Sequence, residues 1–205
     1  MRFDLAASRL TYEDEAHVYR YDGNVVASVT QVLGETGMVD STFYTPAAAQ
    51  RGRFLHKMCN LYDTGRLDWK TVDDRLMPFF LGYQKFLEDT KFDIALSETP
   101  LYHPLYSYAG TLDRLGRMVV RQKTAWVLAD LKTGGLHPAT ALQTAGYKEL
   151  VLANALDFDK ETPILRLAVH LPGDGTWKPM WYDDYNDKSI FLGLVGAINW
   201  KRRYL

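Results

Sequence analysis

The spacing of apolar residues changes along the chain, and each change predicts a switch between strand and helix. Period-two alternation predicts short strands over residues 10–12, 17–21 and 25–27, with Asp22-Gly23 as the turn of a β-hairpin. Helical spacing follows, and period two returns at Phe92. We therefore predict three segments: an N-terminal β-hairpin and helices (1–90), a sheet with a helix (91–171), and a C-terminal strand and helix (172–205).

Capping signals support the predicted helices. Ser28 is a candidate N-cap with Gln31 at capping-box spacing, and Thr45-Pro46 pairs an N-cap with proline at the first helical position. Residues 35–44, between these two starts, are predicted to form a loop. The predicted helices cover residues 28–33, 45–62, 71–89, 138–156 and 185–200.

Alternation in the second half predicts the sheet. We expect Phe92, Ile94, Leu96 and Glu98 to lie on one side of a strand. Further strands are predicted over residues 106–112, 117–120 and 126–131, and together the four would form an antiparallel meander. Two more strands are predicted over 164–171 and 177–182.

Composition limits the possible classes of protein. The chain has 205 residues, of which 47% are apolar, enough for one core, so we expect a single domain over 1–205. The net charge of −1 disfavours a protein that coats nucleic acid with its whole surface, so any such contact must be local. Cys59 is the only cysteine, which excludes an intramolecular disulfide and an iron–sulfur cluster held by several thiolates.

Targeting signals are missing from the pattern. No apolar run approaches the roughly 20 residues that span a bilayer, and the N-terminus has an acid early and no long apolar core. We therefore expect a cytoplasmic protein, of a bacterial cell or a phage-infected host, that does not bind a membrane.

One stretch stands out chemically. The apolar run 126–129 leads into Asp130-Leu131-Lys132-Thr133-Gly134, which predicts a buried strand that ends in a turn. Because side chains alternate across a strand, Asp130 and Lys132 should point to the same face. A carboxylate and an ammonium are costly to bury, so such a pair favours a site of chemistry. A surface strand end with an ordinary salt bridge is the alternative.

The neighbouring strands offer further acids. Four strands could bring Glu98, Asp113, Asp130 and Lys132 to one end of a sheet. Two carboxylates and a backbone carbonyl form a hard oxygen site that suits Mg²⁺, with Mn²⁺ as a substitute. Lys132 could then hold or deprotonate an attacking water, or stabilise charge in the transition state. Asp113 could instead pair with nearby arginines, Arg114 or Arg117, in solvent.

The chain carries a series of motifs in a definite order. They are His17-Val18-Tyr19, Ser28-Val29-Thr30, Arg51-Gly52-Arg53-Phe54-Leu55-His56, Glu98, Gly110-Thr111-Leu112-Asp113, Asp130-Leu131-Lys132-Thr133-Gly134 and Gln143-Thr144-Ala145-Gly146-Tyr147. This order resembles that of the RecB-like branch of the PD-(D/E)XK nuclease superfamily, over roughly residues 15–150. The opening motifs, residues 17–30, resemble those of phage-encoded exonucleases and the mitochondrial genome maintenance exonuclease.

The resemblance implies a fold and an activity. The fold would be α/β, with a restriction-endonuclease-like core in which helices flank a mixed central β-sheet. The activity would be that of a Mg²⁺- or Mn²⁺-dependent deoxyribonuclease: an exonuclease on DNA with free ends, preferably single-stranded, in replication, recombination or repair. DNA is then the expected partner, alongside possible partner proteins of a replication or recombination system.

The resemblance also implies roles for individual residues. Asp113 and Asp130 match the metal carboxylates, and the Leu131 carbonyl matches a further ligand. Lys132 matches the catalytic lysine, and His56 matches the helix histidine at the metal. Glu98, an acid of the preceding strand, would support the site. The residues expected to bind DNA or brace the site are Gln143, Tyr147, Gly52 and Thr133.

Plainer interpretations remain open at several positions. His56 could be a satisfied core histidine, and Gln143 with Tyr147 could merely pack a helix on the sheet. Thr99-Pro100 could shift the strand register and turn Glu98 away. At the level of function, a nucleic-acid-binding module that has lost cleavage, or a structural or assembly protein with an exposed aromatic surface, are the alternatives.

Overall fold

The structure of the protein, a computed structural model, describes residue 3 and residues 9–13, 16–39, 45–156 and 163–205. Residues 40–44 of the predicted 35–44 loop lie outside the described residues, and Glu35 belongs to the preceding helix.

Eight strands form one mixed sheet within the described part of the chain. The order is β1-β2-β3-β5-β6-β7-β8, and β4 pairs with β5 off this path. The β3–β5 and β6–β7 pairs are parallel, while the other pairs are antiparallel. The strands are β1 (Leu10–Glu13), β2 (Val18–Tyr21), β3 (Asn24–Ser28), β4 (Asp93–His103), β5 (Tyr108–Val120), β6 (Lys123–Lys132), β7 (Ile164–His170) and β8 (Lys178–Tyr182).

The centre of the sheet corrects the predicted meander. Residues 106–112 and 117–120 were expected to form two strands, but Tyr108–Val120 is one continuous strand. In the sequence, Asp113 and Arg114 resemble the end of a strand, because charged residues are rare inside a buried strand. Both are nevertheless buried within β5. The meander therefore has three strands, β4, β5 and β6.

A register shift in β4 corrects a second expectation. The pairing of β4 with β5 slips by one residue between Ile94 and Leu96. Ile94 packs against one core cluster and Leu96 against the other, so they do not share a face. A bulge adds one residue to one strand, and here it places Leu96 on the opposite face from Ile94.

The first two helices begin where their caps predict. Ser28 and Gln31 form a complete capping box at α1 (Val29–Glu35), and the Thr45 side chain caps α2 (Pro46–Asp63). The next helix was expected from residue 71, but two short 3₁₀ turns precede α3 (Met77–Thr90), in which Pro78 is the second residue. Proline is favoured in a first turn, where its missing N–H has no partner to lose. The remaining helices are α4 (Thr140–Asn154) and α5 (Asn186–Tyr204).

Helices cover both faces of the sheet, which confirms the predicted α/β architecture of a mixed sheet flanked by helices. Apolar residues of α2 and α3 pack with β6 and β7 in one buried cluster. Those of α1, α4 and α5 pack with β5 and β6 in another. No helix in the described ranges combines the length and apolar character that crossing a bilayer requires.

Candidate metal and active site

Asp113 lies where β5 changes neighbours. The strand pairs with β3 at Tyr108–Ala109 and with β6 from Arg114 onwards. The amide of Leu131, beyond the last β5–β6 pair, donates instead to Asp113 Oδ2 at 2.6 Å. The side chain of Asp113 thus replaces a strand carbonyl, and the substitution fixes this carboxylate beside the end of β6.

Two further side chains reach Asp113. His56 of α2 places Nδ1 3.4 Å from Asp113 Oδ1 and 3.1 Å from Glu98 Oε1. One ligand atom each from His56, Glu98 and Asp113 lies within 4.8 Å of the others. The interpretation that Glu98 turns away is therefore wrong: with φ of 43°, its backbone adopts the left-handed region and its carboxylate reaches His56. The other ring nitrogen, His56 Nε2, lies 3.2 Å from the Leu131 carbonyl.

Asp130 and Lys132 share a face, as the alternation of the strand predicts. Lys132 Nζ lies 2.7 Å from Asp130 Oδ2 and donates to Gln143 Oε1 at 2.9 Å. Gln143 donates in turn to the Tyr147 hydroxyl at 3.3 Å. The two helix residues are thus connected to the lysine, and they direct it from one turn of α4.

Burial and neighbouring charges shift the pKa values of Asp130, Asp113 and His56. Burial raises the pKa of Asp130 to about 6, against the opposing effect of Lys132. Burial alone would raise the pKa of Asp113, but His56, Lys132 and the Leu131 amide together lower it. Burial would lower the pKa of His56, yet Asp113 and Glu98 raise it well above its ordinary value.

The donor set fits a hard divalent cation. Asp130 is 1% exposed. Its Oδ1 has no hydrogen-bond partner among the described residues, and its Oδ2 lies 2.7 Å from Lys132 Nζ. Buried carboxylate oxygens normally have such partners, so Oδ1 is available to a ligand. Carboxylates with one imidazole suit Mg²⁺ and, still better, Mn²⁺.

A cleft of about 460 Å³ opens beside this centre. Gly52 and Thr133 line it, and a Cβ added at Gly52 would meet Thr133 Oγ1 at 3.9 Å, an ordinary contact. Packing within the protein therefore does not require glycine there. Arg51, Lys132 and His137 also line the cleft, and no carboxylate does among the described residues. The cleft is suited to an anionic ligand that approaches the acidic centre.

Sequence reasoning missed the buried ion pairs of Arg114, which lie behind the site. Arg114 was considered a solvent partner of Asp113, but it is completely buried and pairs with Asp63 and Glu98, while Arg117 pairs with Asp93. One signal could have found this group. Asp63 follows His56 by seven residues, and two turns of helix place both on the same face.

Comparisons with known proteins add two distant structural likenesses. The chain is similar to an alkaline exonuclease, LHK-Exo, from Laribacter hongkongensis, at 14% identity and a TM-score of 0.35. It is likewise similar to LHK-Exo in complex with dAMP, at 14% identity and a TM-score of 0.38. Each covers 87% of this chain and 92% of the other. No family model and no curated protein matches the chain.

Proposed function

We propose that this protein is a metal-dependent deoxyribonuclease of the PD-(D/E)XK superfamily, in its RecB-like branch. The observation that carries the proposal is the group of His56, Glu98 and Asp113, whose ligand atoms lie within 4.8 Å of one another. Asp113 accepts from the Leu131 amide, which lies between the paired residues Asp130 and Lys132 on β6. Four elements, α2, β4, β5 and β6, contribute these groups. Burying so many charges together is costly, which favours a site of chemistry.

Asp113, Asp130, His56 and the Leu131 carbonyl would hold the divalent cation, and Glu98 would support them. When bound, such a cation would lower the pKa of a water molecule and neutralise charge on a phosphoryl oxygen. The protein contributes a fixed arrangement of ligands: Asp113 is held by the Leu131 amide, and His56 by Glu98. Ligands that are already in place lower the free-energy cost of binding the cation.

Lys132 acts on the phosphate and the attacking water. Asp130 and Gln143 hold its ammonium at 2.7 and 2.9 Å, so the charge is fixed before the substrate arrives. A fixed positive charge stabilises the negative charge that develops on the phosphate during hydrolysis. The hydrogen bond from Gln143 to Tyr147 keeps the amide oxygen of Gln143 directed at the lysine.

DNA reaches the centre through the cleft lined by Gly52, Thr133 and Arg51. The open space at Gly52 lets a backbone phosphate approach α2 closely. The finer assignment is an exonuclease on free ends, preferably single-stranded, in replication, recombination or repair. It is supported by the order of the sequence motifs.

The test is a cleavage assay on end-labelled linear DNA with Mg²⁺ or Mn²⁺. We expect the wild type to release nucleotides, and we expect Asp113→Ala, Asp130→Ala and Lys132→Ala each to reduce the rate by at least about 100-fold. Asp93→Ala is the matched control, because Asp93 is an exposed acid of the same sheet whose ion pair with Arg117 lies in solvent. Equal degradation by all five proteins would mean a contaminating nuclease and would refute the proposal.

Two further readouts separate the alternatives. Cleavage of covalently closed circles as fast as of linear DNA would contradict the exonuclease assignment alone. Tight Mn²⁺ binding that depends on Asp113 and Asp130, without cleavage of any DNA, would indicate a binding module that has lost its activity.

A further inference from the structure

A buried charged cluster of Asp63, Tyr83 and Arg114 lies directly behind the candidate site. We infer that Arg114 is a positioning residue that fixes His56, Glu98 and Asp113 in the arrangement that binds the cation. The inference rests on the proposed function, since it assigns how that same centre is held.

Arg114 contacts the ligand group at two points. Its Nη1 donates to Glu98 Oε1 at 2.9 Å and to the backbone carbonyl of Asp113 at 2.6 Å. One guanidinium nitrogen thus links the strand that carries Glu98 to the strand that carries Asp113. Because Glu98 sits in the left-handed region, its carboxylate needs such a partner to stay directed at His56.

The other side of the guanidinium fixes helix α2. Arg114 Nε lies 2.6 Å from Asp63 Oδ2 and donates to the Tyr83 hydroxyl at 3.0 Å. Tyr83 donates to Asp63 Oδ1 at 2.7 Å. Asp63 lies two turns after His56 on α2, so the helix is attached to β5 at Asp63 and to the ligand group at His56. A shift at Asp63 would therefore move His56.

The chemistry requires arginine at this position. The guanidinium is planar and presents several donors in a rigid fork, so it can bind Asp63 and Glu98 at the same time. A lysine keeps the charge but has a single nitrogen on a flexible stem, and it cannot reach both partners. Arg114 and the side chain of Asp63 are 0% and 2% exposed, so the contacts lie in a dry interior, where they are strong.

The decisive variant is Arg114→Lys, measured by calorimetric titration with Mn²⁺ and by cleavage rate against Mn²⁺ concentration. We expect the metal dissociation constant to rise on the order of 10- to 100-fold, the effect typical of residues that orient metal ligands. We also expect saturating Mn²⁺ to restore most of kcat. A merely structural role would reduce the folded fraction without changing the metal concentration needed for half-maximal rate.

Arg117→Lys is the matched control. Arg117 lies on the same strand, and it pairs with Asp93 at the exposed surface at 2.6 Å, away from the ligand group. We expect its metal dissociation constant to equal that of the wild type. A wild-type constant in Arg114→Lys as well would overturn the inference and leave the nuclease proposal standing, whereas a wild type that binds no Mn²⁺ would defeat both.

Tyr83→Phe tests the positioning role of Arg114 if Arg114→Lys does not fold. This variant removes only the hydroxyl, which contacts both Arg114 and Asp63. We expect the loss of these hydrogen bonds to weaken Mn²⁺ binding by roughly 2- to 10-fold. Tyr108→Phe serves as its control, because that buried hydroxyl donates to the Gly146 carbonyl instead. Equal metal affinity in both tyrosine variants would refute the positioning role.

Discussion

Metal binding should weaken strongly as the pH falls, because the cation must displace protons from groups whose pKa values are raised. Burial raises the pKa of Asp130 to about 6, while the neighbouring carboxylates Asp113 and Glu98 raise that of His56 well above its ordinary value, against burial. A carboxylate and an imidazole bind a cation only in their deprotonated forms. Affinity is therefore full above both pKa values and is lost as the pH falls through them.

The contribution of Asp130 can be worked out. With a pKa of about 6, the carboxyl is about 99% ionised at pH 8 and about 9% ionised at pH 5. Binding that requires the carboxylate therefore weakens by about 11-fold over that range, or roughly 1.4 kcal/mol. The metal affinity of an aspartate with the ordinary pKa of about 3.9 would fall by only about 7% over the same range. His56 adds a further loss that extends to higher pH.

Calorimetric titration with Mn²⁺ at several pH values, in buffers of different ionisation enthalpy, measures both the affinity and the protons released. We expect His56→Asn to bind more weakly and to keep only the part of the pH dependence due to Asp130. Asp130→Asn should keep only the part due to His56. A wild-type dissociation constant that stays within about twofold between pH 5 and pH 8 would refute the reasoning, because neither group would then compete with the cation.

Three other outcomes are expected. Gly146→Ala should lower the free energy of unfolding by about 1–3 kcal/mol, because the added Cβ would lie 2.6 Å from the Phe191 ring. Gly196→Ala, where the added Cβ meets open space, should raise the free energy of unfolding by up to about 1 kcal/mol. Urea unfolding measures both variants, and equal midpoints would contradict the packing argument. Gln143→Leu should reduce cleavage about tenfold with unchanged Mn²⁺ affinity, because Lys132 loses one of its partners and keeps Asp130. Gln143→Glu keeps an acceptor and should keep most activity, and a fully active Gln143→Leu would show that the contact is dispensable. Mn²⁺ at about 100 times its dissociation constant should stabilise the wild type by about 2.7 kcal/mol, and thermal unfolding unchanged by Mn²⁺ or by EDTA would argue against a metal site.

Local sequence determined the parts of this protein that depend on neighbours along the chain. The alternation of Asp130 and Lys132 placed both on one face, and the capping residues Ser28 and Thr45 marked two helix starts. These features follow from the periods of strand and helix and from short-range hydrogen bonds, which the residue types fix by themselves.

Only the tertiary structure decided how the site is enclosed. The continuity of β5 through Asp113 and Arg114 depends on partners from β4, β6 and α2, and the register shift before Leu96 depends on pairing across two strands. The contact of His56 with Glu98 joins residues 42 positions apart. No local pattern encodes such contacts, because a buried charge is stable only beside a partner that the fold supplies from a distant part of the chain.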